Sequence, residues 1–512
     1  KVKKSNKKEF ILLIIIFLIA FLLRIIKINY GLPYIYHPDE PRYINIIQNI
    51  FKTGDLNPHF FNYPTLFFYL NAIAYTPYYI IGKAIGVFSS RLDILSPIIL
   101  TMGTTKSPLP SSIILSRLVT VIFGSLTIIM MFFIGKELTN RTSVGLLSAF
   151  LMAVCPVNII HSRFITPDTF LVFFITTSIY SIILVYKKGS FWNYILSGIC
   201  IGFTISSKYN GALIILPLIF AHILRYKKES IIKIENLIIA LEVCVITFII
   251  TTPFSIFDFH KFITDVTFES KHYYSGHAGM EGNALQYYTN YMLKTMFIIF
   301  IFSLLEIIRS YYFHLKEYII FSIFPICYFI FICNFKVVND RTFLPLTPFL
   351  FVFASSFIIK IYYIINKLKI LEINKITLKI IIVLVSVSVF IQPIKIIYKD
   401  ILEINKIHDH DIAREWIYNN IHVGKKIAIE SYSPFIEPDK YFVIGFQQII
   451  DKTPAWYENQ GFDYLVFSKK MYGRFYYNKN KYKDQVAKYE EFFNKYKLLK
   501  RINSISIYKL KD

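Results

Sequence analysis

The segment Tyr36-His37-Pro38-Asp39-Glu40-Pro41-Arg42-Tyr43 sets two adjacent carboxylates between a histidine and an arginine. Adjacent carboxylates with little water around them repel each other, which tends to raise one pKa. Such a group serves as a general base once a substrate hydroxyl comes within hydrogen-bond reach. The same Pro-Asp-Glu-Pro also suits a turn into a helix, whose N-terminus favours negative charge. A second cluster, His161-Ser162-Arg163-Phe164-Ile165-Thr166-Pro167-Asp168, places an arginine five residues before a carboxylate, where the two could pair or cap the next helix. Ser206-Ser207-Lys208-Tyr209 and Asn339-Asp340-Arg341 are the third and fourth. Arg163, Lys208 and Arg341 could converge on one anion such as a phosphate, although each alone also suits a snorkelling anchor. Residues 254–290 carry His260, His272, His277 and Glu281. A divalent metal (Mg, Mn or Zn) held by His272, His277 and Glu281 is one expectation, without the tight ligand spacing of a His-x-x-x-His site. Asp409-His410-Asp411 spells a DxD but opens a predicted helix and reads as capping. P-loop, GxGxxG and Gly-x-Ser-x-Gly sequences are absent.

The elements that must position these groups are membrane spans. The chain has 512 residues, 55 % apolar and 17 % charged, with a mean hydropathy of +0.49. An ordinary soluble domain has about 25 % charged residues. This composition excludes a disordered chain, a collagen, a disulfide scaffold and an ordinary cytosolic enzyme. The net charge of +23 sits in short cationic clusters between apolar runs. Anchoring at one membrane face accounts for it, and no nucleic-acid partner is expected. All five cysteines lie inside apolar runs, which argues against a disulfide framework or a cysteine metal site.

Stretches of about 17–25 apolar residues are long enough to span a bilayer. The pattern predicts about eleven spans, give or take two: 10–28, 112–135, 143–158, 168–186, 191–206, 211–224, 236–253, 291–308, 318–335, 344–364 and 378–394. The stretch 191–224 also reads as one bent unit. With the N-terminus cytoplasmic, the inner segments (1–9, 136–142, 187–190, 225–235, 309–317, 360–379) hold 20 Lys or Arg in 60 residues, and the outer ones (29–111, 157–167, 207–210, 254–290, 336–343) hold 11 in 143. That asymmetry is the positive-inside bias. Counting 66–88 as a span would invert every later loop, so it is expected to lie as an interfacial or re-entrant helix. The resulting architecture is a polytopic α-helical membrane domain (1–396) with a first outer loop (29–111) and a long outer loop (254–290). A small extracytoplasmic α/β domain (397–512) follows. Its predicted helices are Asp409–Asn420 and Lys483–Lys500, and its predicted strands Lys426–Tyr432, Tyr464–Phe467 and Ser504–Tyr508. A plasma-membrane location is expected.

Taken in order, the clusters resemble the membrane glycosyltransferases of the GT-C superfamily. The nearest branch is the dolichyl-phosphate-mannose protein mannosyltransferase-like group, related to the lipid A aminoarabinose transferases. The resemblance rests on His37-Pro-Asp-Glu-Pro-Arg-Tyr, Gly54-Asp-Leu-Asn-Pro-His and Tyr63-Pro-Thr-Leu-Phe-Phe-Tyr-Leu. It continues through Arg163-Phe-Ile-Thr-Pro-Asp, Ser207-Lys-Tyr-Asn-Gly, Asp340-Arg-Thr-Phe-Leu-Pro-Leu-Thr-Pro and, in the tail, Ala413-Arg-Glu-Trp-Ile-Tyr-Asn-Asn-Ile. It implies a GT-C fold and transfer of a sugar from a polyprenyl-phosphate carrier to an acceptor hydroxyl of a protein, lipid or glycan on the non-cytoplasmic face. It maps the family's catalytic acidic residue onto Asp39 with Glu40 beside it, a second acidic residue onto Asp168 with Arg163 accompanying it, and donor-phosphate contacts onto Lys208 and Arg341. His37, Arg42 and Tyr63, within the matching segments, and His161, just before one of them, are further candidates. Direct attack by the acceptor would invert the anomeric centre, with Asp39 as general base. The chain departs from the oligosaccharyltransferases of that superfamily in lacking a Trp-Trp-Asp motif. From the eukaryotic protein mannosyltransferases it differs in a loop 254–290 too short for a MIR module.

A transporter or flippase of a lipid-linked or anionic substrate is the alternative reading, and a non-catalytic scaffold the third. Transport predicts ionisable groups near the bilayer midplane and interrupted helices in repeated halves, whereas here the charges gather at the ends of spans.

Overall fold

The computed structural model describes residues 7–229, 234–367 and 372–510. It is a helical bundle that carries a small α/β domain on one end. Among the described residues, six helices are long and apolar enough to cross a membrane, or eight counting each of two bent pairs as one span. Each predicted span coincides with a helix or a bent pair. Three of them, Lys7–Ile25, Phe191–Ser207 and Lys316–Ile332, fall outside these eight. The inner cation clusters predicted at 1–9, 225–235 and 360–379 lie partly outside the described residues.

One break shows how a buried charge is accommodated. The predicted span 143–158 becomes two helices, Thr142–Ala153 and Pro156–Ser162, bent by 56°. Pro156 has no N–H to continue the helix, so carbonyls at the break lose their partners. Arg24, fully buried on the first helix, donates to Met152 O and Ala153 O (both 3.1 Å) and to Asn158 Oδ1 (2.6 Å). Backbone groups inside a membrane must find partners within the protein, and one guanidinium supplies several. The stretch 191–224 is likewise broken, at Lys208, where extended backbone (φ −161°) separates the Phe191–Ser207 helix from a 3-10 turn over Tyr209–Ile214.

The first loop contains helices Glu40–Thr53 and Leu66–Ala84 and three short strands, β1 (Tyr34–Ile35), β2 (Ile98–Thr101) and β3 (Thr104–Lys106), ordered β1-β3-β2 and antiparallel. The Leu66–Ala84 helix is not among those long and apolar enough to span.

The helix that crosses the predicted boundary at 397 runs on to Asn405, and the α/β domain begins with helix Asp409–Asn420. Its sheet holds β4 (Lys426–Glu430), β5 (Phe442–Phe446), β6 (Tyr464–Ser468), β7 (Lys497–Ile502) and β8 (Ile505–Lys509) in the order β5-β4-β6-β8-β7. β4 pairs parallel with β5 and β6, while β8 runs antiparallel to β6 and β7. Both faces are covered. Ala413 and Ile417 pack on Ile427, Ile429 and Ile507 on one side, and Tyr489 and Phe492 on Ala428, Leu465 and Phe467 on the other. The predicted helix Lys483–Lys500 therefore needs correction: it stops at Lys495, and residues 497–502 form β7, whose Ile502 turns into the core. β5 was not predicted.

The domain is fastened to the first loop. Lys106 pairs with Glu437 at 2.7 Å, Thr104 donates to Ser433 O at 2.7 Å, and Tyr432 N–H to Met102 O at 2.8 Å. Gly445 on β5 sits so close to β2 that a Cβ there would lie 2.4 Å from Leu100 O.

Candidate active site

Asp39 precedes the Glu40–Thr53 helix, but its side chain makes no capping bond. It accepts instead from Arg341, 302 residues away, at 2.6 Å. Glu40 points elsewhere. It is fully buried, takes a bidentate pair of bonds from Arg117 (2.8 and 2.7 Å), and accepts from Ile165 N–H at 3.0 Å. The two carboxylates therefore do not share a space. Desolvation alone would raise the Asp39 carboxyl, but Arg341 and His37 outweigh it and hold it below the ordinary value. Enclosure lowers the His37 imidazole to about 4, and its Nδ1 accepts from Asp39 N–H at 3.3 Å, which suits a neutral ring.

Asp168, the first residue of helix Asp168–Lys188, pairs with Lys208 at 2.8 Å. Both are buried. Lys208 also sits 5.4 Å above the Tyr63 ring, which meets Tyr43 edge to face. Arg341 and Lys208 both act electrostatically on Asp39, and Arg341 on Asp168. Two carboxylates and two cations thus form one cluster, assembled from four separate segments. His161 flanks it through Asp340 at 3.1 Å.

Five candidates lie elsewhere. Arg163 is bonded to Asp400 rather than to Asp168, so the predicted convergence of three cations reduces to Lys208 and Arg341. Arg42 is exposed and stacks on Phe60 at 4.2 Å. His272 and His277 meet edge to face at 4.4 Å, but Glu281 turns away to Lys481 and Tyr482. Among the described residues no three His, Cys, Asp or Glu side chains gather as metal ligands.

Sequence reasoning missed the cavity that opens beside Lys208. It has a volume of about 260 Å³; Tyr63, Lys208, Tyr273, Tyr274, Phe331 and Phe335 are among its walls, and so is Glu269, whose carboxylate accepts from Asn62 at 2.7 Å. Its wall is mostly apolar, and a single cation reaches it next to the carboxylate cluster. Tyr273 and Tyr274 come from helix Phe259–Ser275 of the long loop, whose spacing carried no signal of this.

The sequence model of the dolichyl-phosphate-mannose-protein mannosyltransferase family matches residues 11–263, a little under half of the chain. Two solved structures align over nearly the whole chain. One is the oligosaccharyltransferase AglB of the archaeon Archaeoglobus fulgidus with an inhibitory peptide and a dolichol-phosphate: TM-score 0.57, 14 % identity, 91 % of this chain and 70 % of that one. The other is ArnT of Cupriavidus metallidurans bound to undecaprenyl phosphate: TM-score 0.55, 11 % identity, 99 % and 98 %. The chain has the GT-C fold. It is a multi-pass membrane protein built on that fold, with the small α/β domain at its C-terminus. No curated protein matches it in sequence. The Archaeoglobus enzyme has also been solved with zinc and sulfate (TM-score 0.52, 13 % identity, 91 % and 69 %). The residues of this chain do not fit such a metal as they stand: Asp39, Asp168 and Asp340 each face a cation or histidine of the chain itself.

Proposed function

We propose that the chain is a membrane glycosyltransferase that moves a sugar from a polyprenyl-phosphate donor to an acceptor hydroxyl on the non-cytoplasmic face. The observation that carries this reading is the joining of Asp39–Arg341 and Asp168–Lys208 into one cluster beside a mostly apolar cavity. An apolar wall suits a prenyl chain, and Lys208 and Arg341 suit the phosphate at its head. As the sugar leaves, negative charge builds on the phosphate, and fixed cations stabilise it most where water is excluded. Arg341 cannot give all its bonds to Asp39 and to a phosphate at once. Donor binding draws it away from Asp39, whose basicity then rises toward that of an ordinary carboxylate, ready to take the acceptor's proton. Attack from the side opposite the lipid phosphate inverts the anomeric centre.

Binding gives the first check. Polyprenyl phosphate without sugar should bind the wild type in nanodiscs, and Arg341→Gln should weaken it about 10–100-fold, the loss of one charge-assisted contact. Unchanged affinity would contradict the assignment of Arg341.

The pH profile of transfer gives the second. His37, lowered to about 4, stays neutral above about pH 5, so it adds no limb near the ordinary histidine value of about 6.5. Asp39, held low, is ionised over the same range. kcat/KM should stay level from about pH 5.5 to 8 and fall only through the acid carboxylate range. A fall centred between about pH 6 and 7 would contradict both assignments.

A further inference from the structure

Three acidic residues of the helix Phe259–Ser275 and the turn before it meet the first loop. Two of them fasten it. Asp258 accepts from Asn57 at 2.9 Å. Asp265 accepts from Phe61 N–H at 2.9 Å with one oxygen and from Lys261 at 2.6 Å with the other. Both oxygens of Asp265 are thereby satisfied, and neither residue lines the cavity beside Lys208.

Glu269 differs. It shares a helix face with Val266, Ser270, Tyr273 and Tyr274, spaced three and four residues apart, and that face is one wall of the cavity. Asn62 donates to Glu269 Oε2 at 2.7 Å, and among the described residues Oε1 has no hydrogen-bond or ion-pair partner. Asn210, on the same wall, has a buried Oδ1 with no partner either. Both of these free atoms are acceptors. Polar groups partly withdrawn from water cost energy until a donor reaches them. Lys208 lines the same cavity and pairs with Asp168 at 2.8 Å. A donor whose phosphate meets Lys208 therefore puts its sugar, bonded directly to that phosphate, into the space that Glu269 borders. Asp39, Asp168 and Glu269 set against Lys208 and Arg341 leave one negative charge in excess, and the donor phosphate adds to it. The sugar ring lies beside Tyr63 and Tyr273, whose aromatic faces suit its apolar C–H face.

We infer that Glu269, held in place by Asn62, selects the donor sugar. It accepts from a ring that offers hydroxyl or ammonium hydrogens at this wall, and it repels a ring that carries a carboxylate. Uronic acid donors are thereby excluded. Discrimination of this kind comes as much from the penalty on the wrong ligand as from the bonds to the right one. The inference rests on the glycosyltransferase reading, since it names the donor-sugar class for the same site. Asn62 is a positioning residue that acts through Glu269.

The test measures binding of four undecaprenyl-phosphate lipids to the full chain in nanodiscs: sugar-free, glucosyl, glucosaminyl and glucuronosyl. The sugar-free lipid reports the phosphate and prenyl contacts alone. The wild type should hold the glucosyl and glucosaminyl lipids at least tenfold more tightly than the glucuronosyl one. Glu269→Gln keeps the size of the side chain and an oxygen for Asn62, and it should bring the glucuronosyl lipid within about threefold of the glucosyl lipid. Asn62→Ala should narrow the gap part of the way. In Glu269→Gln, a larger loss of the glucosaminyl than of the glucosyl lipid marks ammonium as the preferred hydrogen donor, and equal losses mark hydroxyls. The sugar-free lipid should bind within twofold in every variant, which also shows that they fold. A wild type that binds the glucuronosyl lipid as tightly as the glucosyl one, or a gap that Glu269→Gln leaves intact, would overturn the inference. Failure of sugar-free undecaprenyl phosphate to bind the wild type would instead strike the glycosyltransferase reading, so the two failures are separable.

Discussion

Asp39→Asn should lower the rate of sugar transfer by about 10²- to 10⁴-fold, the usual worth of a positioned general base, while leaving the fold and lipid binding in place. The asparagine keeps the shape and still offers an oxygen to Arg341, which donates to Asp39 Oδ2 at 2.6 Å. What it loses is the capacity to take a proton. The Asp39 side chain is about a third exposed, so removing its charge leaves no deeply buried ion stranded. Undecaprenyl phosphate affinity should stay the same or tighten slightly, because Arg341 no longer has a carboxylate competing for it. A variant that transfers sugar at the wild-type rate would remove Asp39 from the chemistry.

Its neighbour should behave in the opposite way. Glu40→Ala should destabilise the protein by about 3–5 kcal/mol, the cost of leaving a buried partner charge unpaired, and its loss of activity should follow its loss of folded protein. Glu40 and Arg117 are at most 1 % exposed. Arg117 also donates to Ile28 O at 2.8 Å and Tyr30 O at 2.9 Å, so the pair ties the first helix's exit to helix Pro110–Thr139. The Glu40 carboxylate fixes the backbone of Ile165, three residues before Asp168. Removing both charges, Glu40→Leu with Arg117→Met, should recover only part of the stability, because those three carbonyl and amide groups lose partners. Thermal unfolding in detergent, read beside transfer per folded molecule, checks this. A Glu40→Ala protein as stable as wild type but inactive would place Glu40 in the chemistry after all.

This contrast marks where sequence reading stops. The run Pro38-Asp39-Glu40-Pro41 singled out both acids because they are adjacent, and the rest of the bundle supplied the difference between them. Arg117 sits in an apolar run and read only as part of a span, although a charge inside a membrane segment always needs a partner. Arg163 and Asp168 are five residues apart, yet each found its ion pair far off: Arg163 with Asp400, 237 residues on, and Asp168 with Lys208, 40 residues on. The helix breaks were legible at Pro156, where the cause is local, and illegible at Lys208. In the C-terminal domain, β4 and β6 are short apolar runs and were predicted; β7, Lys-Leu-Leu-Lys-Arg-Ile, has a helix-like mixture of charge and leucine and read as the end of the preceding helix. The cavity was invisible because Tyr273 lies on a loop helix whose partners are side chains of other spans.

A transferase must take the sugar off its lipid. In proteoliposomes holding a panel of radiolabelled polyprenyl-phosphate sugars and a crude acceptor fraction, the wild type should release label from at least one donor into a product that is no longer lipid-extractable, and Asp39→Asn should not. Donor bound by both proteins and carried across the bilayer, with no label leaving its lipid, would contradict the account and make the chain a translocator.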